Sequence, residues 1–165
     1  MKTRSLSIIV VAFLLLSMLS IMLIVFVQQA HEDFPKNIRV GEDGKLDTIM
    51  TVQDLRLNPT EKREYDIHLY CAASGSYYIS LDYEELRDGG MKQFVNVTVR
   101  CADMVIFEGM LTDLLDGDRV VKFEGNLESE DPLTVSVSYE MPEHIGNEAQ
   151  GTSADFDIRL KIEKS

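Results

Sequence analysis

The sequence predicts an all-β fold, an antiparallel β-sandwich of jelly-roll or immunoglobulin-like type preceded by one N-terminal hydrophobic helix. Three observations carry that expectation. Apolar and polar residues alternate in run after run from about Ile49 onward, which is the mark of strands buried on one face only. Turn-forming residues punctuate the runs at short intervals, as two packed antiparallel sheets require. An uncharged apolar segment stands before all of this, in a chain of 165 residues.

That segment, Leu6 to Val27, is long enough to cross a hydrocarbon core of about 30 Å as a helix. Lys2 and Arg4 precede it, which sends the rest of the chain out of the cytoplasm. It reads either as a retained signal anchor or as a cleaved signal peptide. Against cleavage, the apolar run exceeds the roughly 7–15 residues of a usual signal core, and "VQQA" offers Gln28 where a small residue is preferred. The domain plan is therefore 1–30 as anchor or signal, 31–47 as linker or donor strand, and 48–165 as the sandwich.

All 28 acidic residues follow the leader, whereas the 16 basic residues less Lys2 and Arg4 leave 14. So acidic a domain opposes nucleic-acid binding, whose phosphates need Lys and Arg, and direct attraction to anionic lipid. Solubility, cation association or a basic partner suits it better.

Taken in order, "HEDFPKNIRVGEDGKLD" is polar and weakly periodic, with "NIRV" as a short strand inside it. "IMTVQDLRL" is the first clear strand, closed by the turn Asn58-Pro59-Thr60. "REYDIHLYC" sets Tyr65, Ile67, Leu69 and Cys71 on one face. "AASGS" turns the chain into "YYISLDY", and "EELRDGG" reads as a connection ending at Gly89-Gly90. "FVNVTVRC" aligns Val95, Val97, Val99 and Cys101. "MVIFEG" is a short strand, and "MLTDLLDGD" is the one stretch suited to a helical turn. "RVVKFEGNL", "LTVSVSY" and "ADFDIRLKI" complete seven to nine strands.

Little of this carries chemistry. Cys71 and Cys101 both point inward, and outside the cytoplasm they are open to a disulfide; two buried free thiols are the other reading. Asp113, Asp116, Gly117 and Asp118 lack the spacing and the final glutamate of a calcium loop. His31, His68 and His144 stand apart, with no H-E-x-x-H. No phosphate loop or nucleophile elbow occurs, and Asn96-Val97-Thr98 matches a glycosylation acceptor within a strand. No active site, metal or cofactor is expected.

The run from Pro142 to Gly151 stands apart from these. Pro142 ends a strand because it cannot donate to a ladder. Gly146, Asn147 and Gly151 tolerate left-handed backbone, and Gln150 has an amide able to bind the loop. This P-E-x-x-G-N-E-x-Q-G run, followed by an alternating last strand, resembles the C-terminal signature of the TasA/camelysin family of secreted bacterial surface proteins. The stretches "VQDLRLNPTEKREYDIHLYCAASGSYYISLDY" and "LESEDPLTVSVSYEMPE" are similar to earlier parts of that family, so the resemblance spans about Thr51 to Ser165. The long leader and Cys71, in a region commonly rich in Asn and Gly, depart from it.

The resemblance implies a jelly-roll-like sandwich acting as a subunit or accessory of cell-surface and biofilm fibres. Such subunits associate when an N-terminal segment, here within Asn37 to Val52, adds as a strand to a neighbour. The chain would meet the membrane only through its leader, and would be secreted if that leader is removed. A membrane-tethered binding module, recognising an envelope component through its loops around His144 to Gln150, is the alternative. The family also includes proteins described as metalloproteases, a reading that the isolated histidines oppose.

Overall fold

The computed structural model describes residues 37–117 and 119–165. The predicted helix over 6–27, His31 and Asp118 lie outside them, and among the described residues no helix is long and apolar enough to cross a membrane. Among the described residues nine strands form two sheets. They are β1 (Asn37–Val40), β2 (Lys45–Leu55), β3 (Lys62–Cys71), β4 (Gly75–Gly89), β5 (Asn96–Cys101), β6 (Met104–Met110), β7 (Val121–Leu127), β8 (Leu133–Glu140) and β9 (Ser153–Lys164). The five-stranded sheet runs β1-β3-β8-β5-β6 and the four-stranded sheet β2-β9-β4-β7. Every pairing between named strands is antiparallel except β1 with β3.

The alternation places the core as expected. Ile67, Leu69, Val97, Val99, Val135 and Val137 come from one sheet, and Met50, Ile79, Leu81, Phe156, Ile158 and Leu160 from the other. All are almost fully buried in a single cluster. The expected helical turn is α1 (Leu111–Leu115), which buries Leu111 and Leu114. Its Met110 N–H is capped by Asp113 Oδ2 at 3.1 Å, which suits an acidic residue at a helix start.

Two boundaries differ from the sequence reading. The short strand read at "NIRV" is β1, paired with β3, but the next strand begins at Lys45 rather than near 48, because the first half of β2 pairs with β9. The outward Lys45 and Asp47 are charged and the half-buried Thr48 is polar, which masks the alternation at the start of β2. "EELRDGG" is strand rather than connection: β4 continues to Gly89 along the long partner β9, through a bulge between Glu85 and Arg87. Backbone pairing there outweighs a polar composition. Gly90 then turns the chain with φ +80.

Candidate functional site

The registers bring the unusual connections to one end of the sandwich. Glu140 faces both Lys62 and Asn96, while Ala154 faces Leu55 and Ser153 faces Gly89. The turn 56–61, the connection 90–95 and the loop 141–152 therefore meet there. Two backbone hydrogen bonds lock them: Thr60 N–H donates to Met141 O at 2.9 Å, and Met141 N–H donates to Glu61 O at 3.1 Å.

The loop motif is held by its own side chains. Gln150 Nε2 donates to Asn147 Oδ1 at 2.9 Å, and Thr152 Oγ1 donates to Ala149 O at 2.7 Å. Between them Asn147–Ala149 forms a 3-10 turn with Ala149 buried. Of the motif positions read as tolerating left-handed backbone, Gly151 uses it, with φ +75. Gly146 has φ −88, and Asn147 is not among the residues of positive φ. The turn is closed by hydrogen bonds to Asn147, so Asn147 needs no left-handed backbone, whereas Gly146, with ψ −138, lies outside the helical and extended regions that other residues favour. A Cβ at Gly146 or Gly151 would meet no atom within 4 Å. Space is open beside both.

That space is a cleft of about 320 Å³. Leu57, Pro59 and Met91 give it apolar walls, and Asn58, Asn147 and Gln150 give it amides. Arg56 stands at the rim with its Nε on Asp54 Oδ1 at 2.8 Å. Asn58 is fixed by Glu61, whose Oε2 accepts from both its N–H and its Nδ2 at 2.9 Å. The Asn58 N–H holds the Glu61 carboxyl below its ordinary range. Beside the cleft, Thr60 has φ +71, a strained conformation for a β-branched residue. The cleft is neutral apart from Arg56. Its chemistry is that of a contact surface, offering amide hydrogen bonds over an apolar floor.

Lys92 braces the same end. Its ammonium lies 2.9 Å from Glu85, 2.8 Å from Asp116 and 3.5 Å from Asp88. Bonds to Asp116 and Glu85 push its pKa well above that of an ordinary lysine. This ties β4, the segment after Gly90 and the end of α1 together. Asp116, one of the residues weighed for calcium, is thus a partner of Lys92, and Asp113 is a helix cap. Neither Met91 nor Lys92 carries a sequence signal for these roles, because the meeting of these connections depends on strand register.

The other singled-out residues are dispersed. His68 Nδ1 lies 3.0 Å from Thr134 Oγ1 on the outer face of the five-stranded sheet, while His144 is exposed in the loop. Asn96 is exposed at the start of β5. Among the described residues no three His, Cys, Asp or Glu side chains are grouped to hold a metal. Cys71 and Cys101 are both buried and free. Cys101 faces Val135, which faces Ile67, and Cys71 lies four residues further along β3. Two strand spacings across and four residues along separate their Cα atoms by about 16 Å. A disulfide needs less than about 7 Å, so one chain cannot join them in this fold. Burial alone pushes the Cys101 thiol up in pKa.

No protein-family model matches this chain, and no curated protein does. Solved structures with a related outline include PliG of Aeromonas hydrophila, a periplasmic inhibitor of g-type lysozyme. It is 11% identical over 78% of this chain and 99% of that one, with a TM-score of 0.34. Another is the C-terminal CBM6 of LamC, a marine laminarinase of Zobellia galactanivorans: 13% identity, 73% of this chain, 99% of that one, TM-score 0.31. A third is dimeric latent PorU of Porphyromonas gingivalis, at 11% identity, 73% of this chain, 13% of that one and TM-score 0.31. Similarity of this degree carries no argument about function.

Proposed function

We propose that the chain is an extracytoplasmic structural β-sandwich of the TasA/camelysin kind, with that family's jelly-roll-like architecture. It is held at the membrane by its leader or released from it, and serves as subunit or accessory of a surface fibre. It makes contacts and catalyses nothing. The observation that supports this reading is β1. It has four residues, lies at a sheet edge, and is the one parallel partner of its neighbour. Its hold is short: a four-residue ladder with β3, the buried Ile38 and Val40, the Ala72 N–H donating to Val40 O at 3.0 Å, and Arg39 reaching Ser129 O at 3.3 Å.

A strand so placed can leave β3 of its own domain and fill the same slot on a neighbour. The contacts are then identical in both states, so exchange changes little besides association entropy. The N-terminal half of β2 is less suited to donation, since it pairs with β9 over a long register. The donor segment drawn as Asn37 to Val52 thus narrows to Asn37–Val40.

The test replaces Ile38 with Asp in the full chain. Folded subunits that no longer polymerise are expected; polymers equal to wild type would overturn the mechanism. The second reading, a tethered binding module, draws on the amide-lined cleft beside Gly146 and Gly151. Asn147→Ala with Gln150→Ala would then remove ligand binding and leave assembly intact.

A further inference from the structure

With the tethered binding module above as premise, we infer the class of its ligand: an extended peptide of another protein, with one aliphatic side chain between basic residues. The aliphatic side chain fills the cleft between the turn 56–61 and the loop 141–152. At about 320 Å³ that cleft is at the small end of ligand sites, which run from about 300 to 1,000 Å³. It suits one residue and the peptide groups on either side of it. Leu57 and Met91 are buried beneath it, and Pro59 stands exposed at its side. Met91 adds a thioether that adapts its shape to what it meets. Among the described residues that line the cleft none is aromatic, so nothing there offers a flat face to a sugar ring.

The three amides select a main chain, because each has one end engaged within the protein and the other left over. Asn58 Nδ2 donates to Glu61 Oε2, which leaves Asn58 Oδ1 as an acceptor. Gln150 Nε2 donates to Asn147 Oδ1, which leaves Gln150 Oε1 to accept and Asn147 Nδ2 to donate. Two acceptors and a donor are thus held in place before a ligand arrives, and that lowers the ordering cost of binding. A peptide brings an N–H and a C=O at each residue and meets both kinds. Thr60, at φ +71 in the same turn, is a strained residue of the sort that gathers at ligand clamps.

Charge decides the flanking residues. The one charge lining the cleft is Arg56, and Asp54 holds it. Around it Glu143 and Glu148 stand exposed on the loop, and Glu61 closes the turn. On so acidic a domain a basic segment is drawn in, and an acidic one, a stretch of a second copy included, is turned away.

The experiment titrates the full chain, in detergent, into fluorescein-labelled Gly-Lys-Ser-Leu-Ser-Lys-Gly and follows anisotropy. One control peptide has Ser for the Leu, and another has Glu for both Lys. The leucine peptide is expected to bind about ten-fold or more tighter than the serine one, and added salt should weaken it. Glu143→Lys with Glu148→Lys should weaken it about three-fold or more and leave the melting temperature unchanged. Asn147→Ala with Gln150→Ala should abolish it. Equal affinities for the leucine and serine peptides, or for the Lys and Glu ones, would overturn the proposal, as would leucine-peptide binding that survives the Asn147 and Gln150 changes. A neutral glucan hexamer separates the proposal from its premise. If only the glucan binds, and those two changes abolish its binding, the module reading stands and the peptide is wrong. If neither probe binds, both fall.

Discussion

Tyr83 of β4 and Tyr139 of β8, one from each sheet, bury their hydroxyls together in the core. The two oxygens lie close enough to perturb one another's ionisation, and burial pushes both phenols upward in pKa. Neither closes a well-formed hydrogen bond. Their rings belong to an aromatic stack in which Phe156 lies 5.5 Å from Tyr139 and 6.0 Å from Tyr83. The stack contributes packing, while the hydroxyls bring an uncompensated desolvation cost.

Tyr83→Phe and Tyr139→Phe are therefore expected to leave stability unchanged or raise it by up to about 1 kcal/mol. The double variant should do at least as well as the better single one. Thermal unfolding decides. A loss of more than about 1 kcal/mol in either single variant would mean that its hydroxyl is satisfied after all.

Thr60 makes the second prediction. Left-handed backbone costs a β-branched residue on the order of 1 kcal/mol or more, and its N–H bond to Met141 O survives any substitution except proline. Thr60→Gly should stabilise the domain by about 1 kcal/mol in denaturant unfolding. Destabilisation would show that the threonine side chain works in the neighbouring cleft.

Glu61 contributes to the acid limb of stability through the turn it closes. Its folded pKa lies below the unfolded value, chiefly because of the Asn58 N–H. The stability it contributes is present above the unfolded pKa, about 4.3, and is lost as pH falls through the folded value. Glu61→Gln should cost about 1 kcal/mol at neutral pH, and the difference from wild type should shrink toward pH 3. A constant difference across that range would contradict the linkage.

Lys92 behaves in the opposite sense. Its folded pKa is raised by Asp116 and Glu85, so its contribution is complete below the unfolded pKa of about 10.4 and disappears only as pH rises through the folded one. Lys92→Met leaves three carboxylates facing one another. A loss of about 1–2 kcal/mol at neutral pH is expected, reduced by added salt. An unchanged melting temperature in low salt would remove Lys92 as a brace.

The sequence by itself determined which residues are inside. Period-two alternation needs only the strand's own geometry, since successive side chains take opposite faces whatever the partner strand. Ile67, Val99, Val137 and Ile158 could be assigned to the core on that ground, and α1 by its leucines. Pairing order and register belong to the tertiary structure, because hydrogen bonds between strands carry no mark in either strand's composition. That is why the start of β2 and the end of β4, both rich in charge, were legible only once β9 lay beside them, whereas "NIRV" could be read as a strand from its own residues. The same holds for the cysteines: inward direction was readable, but their separation depends on β8 lying between them. The cleft at Gly146 and Gly151 and the Lys92 brace likewise arise from where the fold puts strand ends, and no local pattern encodes that.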